Sequence, residues 1–336
     1  MGVYILYVTE ENSTLSLNFR RLATVSFYGS VIAHLLRMNR FKPHLALFLS
    51  NSIWAINYPF YHMVMRSGIT PSAMLFASLL VAAALSFVPL LWSRGEKVDR
   101  KDIKYLIAAA ILSGLMRKGF VIFGLSHTSP IDASIIASLL PVMALIISVV
   151  IGIDRFTPKR IFGIALGMGG VLAVILSGNH ASKTAGDLTG NTLMFLYTIA
   201  AGFYMVWLQP IFKKYKPVTL LRWIYSLSSL MFLPFGLEPL LHTQFSSMSP
   251  HILTITIFVI AIPTFLPNIL LNYALGRVTP TISSIYSYLQ PILAIIVSVW
   301  LGLDKLHWST LVYGTIIISG VTMVIQSYTQ PKKAIS

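Results

Sequence analysis

The chain has 336 residues, of which 56% are hydrophobic and 10% charged, with a mean hydropathy of +0.76. Soluble domains carry about a quarter charged residues, so this composition is that of an integral membrane protein, and the absence of cysteine excludes disulfides, thiolate nucleophiles and cysteine metal sites. The formal charge of +15 raises nucleic acid as a partner, until the placement of the basic residues gives it another meaning.

Residues 1–42 are the least membrane-like stretch, interrupted by Arg20, Arg21, Arg37, Arg40 and Lys42, with no apolar run near the roughly 20 residues of a spanning helix. They read as a cytoplasmic N-terminal extension, and Met38, which opens a short basic lead into the first span, is an alternative start. Met1–Val8 is apolar but lacks a basic n-region and a small-residue cleavage site, so it does not read as a secretory signal. Ten apolar segments follow, near Leu45–Met65, Pro71–Trp92, Tyr105–Leu125, Asp132–Ile153 and Ile161–Ser177, then Thr192–Phe212, Thr219–Leu237, Ile252–Leu275, Thr281–Leu303 and Ser309–Gln326. Segments of about 17 to 25 residues suit helices crossing a roughly 30 Å hydrocarbon layer. The expected fold is therefore all-α and integral to the membrane, with ten transmembrane helices.

Of the 25 lysines and arginines, 20 fall inside if the N-terminus is cytoplasmic, three (Arg66, Lys183, Lys305) fall outside, and Arg117 and Lys118 lie within the third span. By the positive-inside rule both termini are cytoplasmic. The high charge is then an orientation signal, and nucleic acid drops out as a partner.

The stretch from Phe123 to Asp154 recurs 150 residues later, from Tyr273 to Asp304. In register, Pro130 meets Pro280, Pro141 meets Pro291, Ser148 meets Ser298, Gly152 meets Gly302 and Asp154 meets Asp304. After a one-residue insertion Gly163 and Gly169 meet Gly314 and Gly320. Apolar matches arise easily by chance in such a composition; paired prolines, glycines and aspartates do not. A duplicated hydrophobic chain points to a transporter built from two related halves, and five spans per half, an odd number, invert the second relative to the first.

The motifs TSPIDASIIASLLP ending at Pro141, GID at Asp154 and GIALGMGG, with VTPTISSIYSYLQP at Pro291, GLD at Asp304 and GTIIISG, resemble the EamA-type transporters of the drug/metabolite transporter superfamily. In that family the fourth helix of each five-helix unit carries a mid-helix proline and ends in glycine and an acidic residue, ahead of a glycine-rich fifth helix. The resemblance divides the chain into repeats 43–178 and 190–328 with a cytoplasmic tail at 329–336. It implies a cell inner-membrane secondary transporter, without enzymatic activity or cofactor. The substrate would be a small polar metabolite, an amino acid or related compound, moved by alternating access and exported. Two departures stand out: aspartate replaces the usual glutamate after each glycine, and Arg117-Lys118 stand where the third helix is expected to be polar and uncharged.

Arg117 and Lys118 lie about 18 Å along their helix at 1.5 Å per residue, a depth where a cation costs roughly 2.5–3.5 kcal/mol. No acidic residue is expected at that depth, so the charges are met by water, by carbonyls at a helix break, or by an anionic solute. Adjacent side chains diverge by about 100°, so at most one is expected to face a cavity squarely: Arg117 toward an anionic substrate group, Lys118 toward a carbonyl or water in a side cleft. In the matching place of the eighth span, Pro263 and Pro267 free the carbonyls of Val259 and Pro263, predicting a broken helix with Asn268 and Asn272 on one face. Pro141 and Pro291 free the carbonyls of Ala137 and Ser287, as hinges or static bends. Tyr288 and Gln290 beside Pro291, Asn57 beside Trp54 and Tyr58 in the first span, and Tyr204 near Trp207 in the sixth complete the substrate-binding candidates. The glycines around Gly163, Gly167 and Gly170, and Gly314 and Gly320, predict a close helix seam within each half. Asp154 and Asp304 read as residues that cap helix ends or fix interfacial turns, with proton coupling the weaker reading. No Walker sequence, metal-ligand spacing or nucleophile elbow is present. A membrane-embedded enzyme and a non-transporting scaffold remain as alternatives, and ion coupling and a homodimer stay open.

Overall fold

Prolines and short hydroxyl caps begin the helices of this protein. Pro71, Pro130, Pro217, Pro250 and Pro280 each occupy a first turn, where the missing N–H has no intrahelical partner to lose. At four of these starts Thr70, Ser129, Ser249 or Thr279 accepts a hydrogen bond from a first-turn amide. The structure, a computed structural model, describes residues 41–91, 95–177, 187–303 and 307–329. Residues 1–40 of the N-terminal extension, with its Met38 start, the tail beyond 329, loop residues 178–186 and Asp304 lie outside the described residues.

Residues 41–45 are helical. From there the chain runs through α1 (46–66), α2 (Pro71–Leu91), α3 (Arg100–Leu125), α4 (Pro130–Val150) and α5 (Pro158–Ser177). It continues through α6 (Leu188–Trp207), α7 (Pro217–Leu241), α8 (Pro250–Leu275), α9 (Pro280–Trp300) and α10 (Trp308–Thr329). The described residues contain no strand. Among them α2, α3, α4, α7, α8 and α9 are long and apolar enough to cross a membrane. Bulky apolar side chains face outward, with Trp308 83%, Trp300 82% and Leu241 73% exposed. Hydrocarbon, unlike water, accepts such a surface at no cost. The sixth apolar segment, expected to run unbroken to Phe212, ends at Trp207. Leu208 leaves helical geometry and a short helix Gln209–Lys214 restarts, because Pro210 cannot donate back to the preceding turn.

The repeat is visible in local geometry. α4 consists of Pro130–Ala137 and Leu140–Val150 with a turn between, and α9 of Pro280–Ile285 and Leu289–Trp300 with a 3-10 turn at Tyr286–Tyr288. Both irregularities fall just before the paired Pro141 and Pro291. Both helices end the same way: Gly152 and Gly302 have φ of +84° and +65°, and the amides of Ile153 and Leu303 reach back to the carbonyls of Ser148 and Ser298. Only glycine takes that conformation without strain. Asp154 fixes the turn after α4, accepting from the Arg155 amide at 3.0 Å and pairing with Arg160, while Thr157 accepts from the first-turn amide of Arg160 in α5.

The most extensive helix pairs join one half of the chain to the other, α2 with α7 and α5 with α10. The glycine seam is therefore not within each half as the sequence suggests. A Cβ placed on Gly163 would fall 2.6 Å from the carbonyl oxygen of Gly320, and one on Gly320 would fall 2.5 Å from the amide nitrogen of Gly167.

Candidate functional site

α3 leaves the α-helical register over Ala110–Arg117, which form a π-helix. The cause is a side chain from another helix. Ser228 of α7 donates to the Ala110 carbonyl at 2.9 Å as well as to its own Ile224 carbonyl. Gly114 gives it room, since a Cβ there would sit 1.9 Å from the Ser228 hydroxyl oxygen. A hydroxyl wedged into a helical ladder widens the turn, and π turns recur at functional sites. Arg117 closes this segment and Lys118 follows it.

Both side chains reach the second half of the chain. Arg117 is 7% exposed and donates from Nη2 to Ser113 Oγ at 3.1 Å and to Asn268 Oδ1. Its guanidinium carbon lies 5.2 Å from the ring centre of Trp54 and 5.5 Å from that of Tyr204, within cation–π range. Tyr204 stands 150 residues after Trp54, the offset of the repeat, so equivalent aromatics from the two halves flank one cation. Lys118 Nζ donates to Tyr61 Oη at 3.0 Å and to Thr264 Oγ1 at 2.6 Å. The expected carbonyl or water is replaced by two hydroxyls, and both cations line one cavity. Their long side chains, following a widened turn, close the angle that adjacent residues subtend.

α8 is continuous through Pro263 and Pro267, which corrects the expected break. One of the two carbonyls those prolines free is met by a neighbouring side chain. Trp54 Nε1 donates to the Pro263 carbonyl at 3.2 Å, the acceptor that Pro267 cannot reach. Tyr225 Oη and Asn268 Nδ2 donate to the Thr264 carbonyl at 2.6 and 2.7 Å.

The cavity is walled from the first half by Trp54, Asn57, Tyr58, Tyr61, Arg117 and Lys118, and from the second by Tyr197, Tyr225, Pro263 and Asn268. The volume open to the centres of water molecules is about 50 Å³. Arg117, Trp54 and Tyr197 also line a smaller space, with Tyr204, Ser283 and Gln290. Asn57 lies on the cavity wall and its Oδ1 is buried without a donor. Tyr204 donates to Asn272 Oδ1 at 2.7 Å, behind the wall. Gln290 accepts from Tyr58 Oη at 2.9 Å and donates to Asn51 Oδ1 at 2.7 Å, so it holds a wall residue in place. Tyr288 is half-buried and lines neither space; its hydroxyl has no partner. Trp207 packs edge-on against Tyr105 instead, at 6.3 Å between ring centres. Tyr61, Tyr197, Tyr225 and Thr264 are cavity or partner residues that sequence reasoning missed; isolated tyrosines and a threonine in apolar helices carry no local signal.

Comparison with known proteins now bears on these two half-walls. The model of the EamA-like transporter family matches residues 41–176 and, a second time, 188–326. The chain belongs to the EamA-like transporter family. An "Uncharacterized transporter" of Archaeoglobus fulgidus is 25% identical over 58% of this chain and 67% of its own. A "Probable terminal-alkyne amino-acid exporter" of Streptantibioticus cattleyicolor is 24% identical over 83% of this chain and 92% of its own. One crystal structure superposes with a TM-score of 0.60 over 87% of this chain and 100% of its own at 14% identity, which shows the fold alone. This EamA-like chain is thus a multi-pass membrane transporter and not an enzyme.

The two matched segments of the EamA-like transporter are also tied together away from the cavity. Lys214 donates to Asp99 at 2.5 Å and to Asp102 at 2.6 Å, Tyr215 Oη donates to Asp102, and the Lys216 amide donates to Glu96. The hydrogen bond to Asp102, then that to Asp99, holds the Lys214 ammonium protonated well above the usual lysine range. The corresponding connections of the opposite halves, Ser67–Thr70 and His242–Met248, instead line an open cleft with Glu238 and Pro239.

Proposed function

We propose that the chain is an inner-membrane carrier that exports small polar metabolites, amino acids or related compounds, by alternating access. In this reading it has ten spans in two inverted five-helix repeats, 43–178 and 190–328, with both termini cytoplasmic. The observation that carries the reading is the central cavity, whose walls come from both repeats and whose two cations bond across the boundary, Arg117 to Asn268 and Lys118 to Thr264. Arg117, Lys118, Asn57 and Asn268 face the solute, while Tyr204, Asn272 and Gln290 brace the walls from behind. Tyr288, with an unpartnered hydroxyl near the bend of α9, is the candidate with the weakest tie to the cavity.

The ion-pair knot at Asp99, Asp102 and Lys214 lies among basic loops that the charge rule assigns to the cytoplasm. The open cleft at its counterpart position lies on the other side. A closed knot on one face and an open cleft on the other is the asymmetry that rocking repeats exchange. The "Probable terminal-alkyne amino-acid exporter" of Streptantibioticus cattleyicolor, similar over 83% of this chain, supports the substrate class. The test is counterflow in proteoliposomes preloaded with a radiolabelled amino-acid and organic-acid mixture, with and without an imposed proton gradient. Saturable flux above empty liposomes is expected. Flux no greater than that of empty liposomes, together with unchanged metabolite profiles in cells lacking the protein, would sink the carrier reading.

A further inference from the structure

Two cations share the central cavity, and no carboxylate does. Arg117 and Lys118 both line it, its walls contain no aspartate or glutamate, and the ion pairs among the described residues involve neither. Their partners, Ser113, Asn268, Tyr61 and Thr264, supply oxygen acceptors but no negative charge. A buried charge met only by neutral groups is poorly compensated. The arrangement is also incomplete as a hydrogen-bond network. Arg117 Nε is buried with no acceptor, and Asn57 Oδ1, also on the wall, has no donor.

The aromatic walls point the same way. An aromatic cage favours a cationic solute when its ring faces are free. Here the faces of Trp54 and Tyr204 are turned to Arg117 at 5.2 and 5.5 Å, and Tyr61 meets Lys118 through its hydroxyl at 3.0 Å. The rings are engaged by resident cations, and an incoming ammonium would meet two like charges.

We infer that the cavity binds small organic carboxylates of net negative charge, the carboxylate held by Arg117 and Lys118, and that it disfavours solutes bearing a free ammonium. This rests on the reading of the cavity as the carrier's solute site, and within the proposed class of amino acids and related compounds it selects the related carboxylates that lack a free amine. A guanidinium presents two parallel donors to a carboxylate, and losing such a fork is felt more than losing a point charge. The room open to water centres, about 50 Å³, is a few waters' worth at roughly 10–15 Å³ each. It suits a carboxylate on a short carbon skeleton.

The experiment uses the full chain in detergent, with intrinsic tryptophan fluorescence and thermal unfolding as binding readouts. The probes are N-acetyl-L-alanine and L-lactate, which are anionic, L-alanine, which is zwitterionic, L-alaninamide, which is cationic, and inorganic phosphate. The two carboxylate anions are expected to bind tightest and alaninamide weakest. Arg117→Gln should weaken anion binding about tenfold to a hundredfold, as loss of a charge-assisted hydrogen bond does, and Lys118→Gln by less. Arg117→Lys, which keeps charge and loses the fork, should fall between wild type and Arg117→Gln, and it carries the test if the glutamine variant does not fold. Four results would each overturn the inference: neither carboxylate anion binds, L-alanine or alaninamide binds as well as they do, phosphate alone binds, or Arg117→Gln binds as wild type. Binding in detergent needs no transport. Anion binding without flux in proteoliposomes would keep this site and remove the carrier, whereas flux of L-alanine with no preference for anions would do the reverse.

Discussion

Replacing Gly320 by alanine tests how the two halves are held together. The new Cβ would lie 2.5 Å from the Gly167 amide nitrogen and 2.6 Å from the Gly163 carbonyl oxygen. Both obstacles are backbone, so no side chain can rotate away, and ordinary contact near 3.4 Å or more demands that α5 and α10 separate by most of an ångström. The separation also loosens Gly170, where an added Cβ would sit 2.6 Å from Ile317 Cγ1. Overpacking of this kind costs about 1–3 kcal/mol, and alanine's better helix propensity returns at most about 1 kcal/mol. A net destabilisation is expected. Gly169, the repeat-equivalent of Gly320, meets nothing within 4 Å, so Gly169→Ala should be neutral or stabilising by up to about 1 kcal/mol. Thermal or denaturant unfolding of both variants in the same detergent measures the contrast. If Gly320→Ala proves as stable as wild type, or Gly169→Ala the less stable of the two, the seam between α5 and α10 is wrong.

Trp54→Phe keeps a ring beside Arg117 but strands the Pro263 carbonyl, so it should cost about 1–2 kcal/mol of unfolding free energy; an unchanged stability would show that Nε1 donates elsewhere. Lys214→Gln should release its ties to Asp99 and Asp102 and raise protease cleavage within residues 95–102, while leaving anion binding in detergent unchanged. A reporter fused after Lys333 should read cytoplasmic and one in the 178–190 loop external; both on one side would remove the inverted repeats. Deleting residues 1–37, so that Met38 initiates, should leave membrane insertion intact, and loss of expressed protein would show that the segment is structural.

The duplicated architecture was legible because it is written in residue types that resist chance: two prolines, a glycine and an aspartate in register. So was the existence of a cationic spot in α3, since arginine and lysine are conspicuous in an apolar run. Its surroundings were not. The π segment that precedes Arg117 exists because Ser228, from another helix, occupies the room at Gly114, and no window around residue 117 contains that serine. Pro263 and Pro267 read as a break because their missing donors are local and visible, while Trp54, which answers one of them, lies 209 residues away. The glycine pairs looked equivalent along the chain: Gly163 is jammed against Gly320, whereas its counterpart Gly314 has ordinary contact with Ile135 at 3.6 Å. Sequence symmetry ranks positions; packing decides which of a pair is tight.

The same inequality appears where Arg117 sits between Trp54 and Tyr204. A carrier made of two identical inverted halves would have two access states that are mirror images, equal in energy, and no preferred resting side. The residue 150 positions after Arg117 is Pro267, which has neither charge nor donor. The guanidinium therefore belongs to one half only, and under the proposed rocking whatever bonds it trades have no reciprocal set. In the proposed alternating-access carrier this position is one place where the degeneracy of the two states is lifted, which would give the empty carrier a resting side before any gradient is applied.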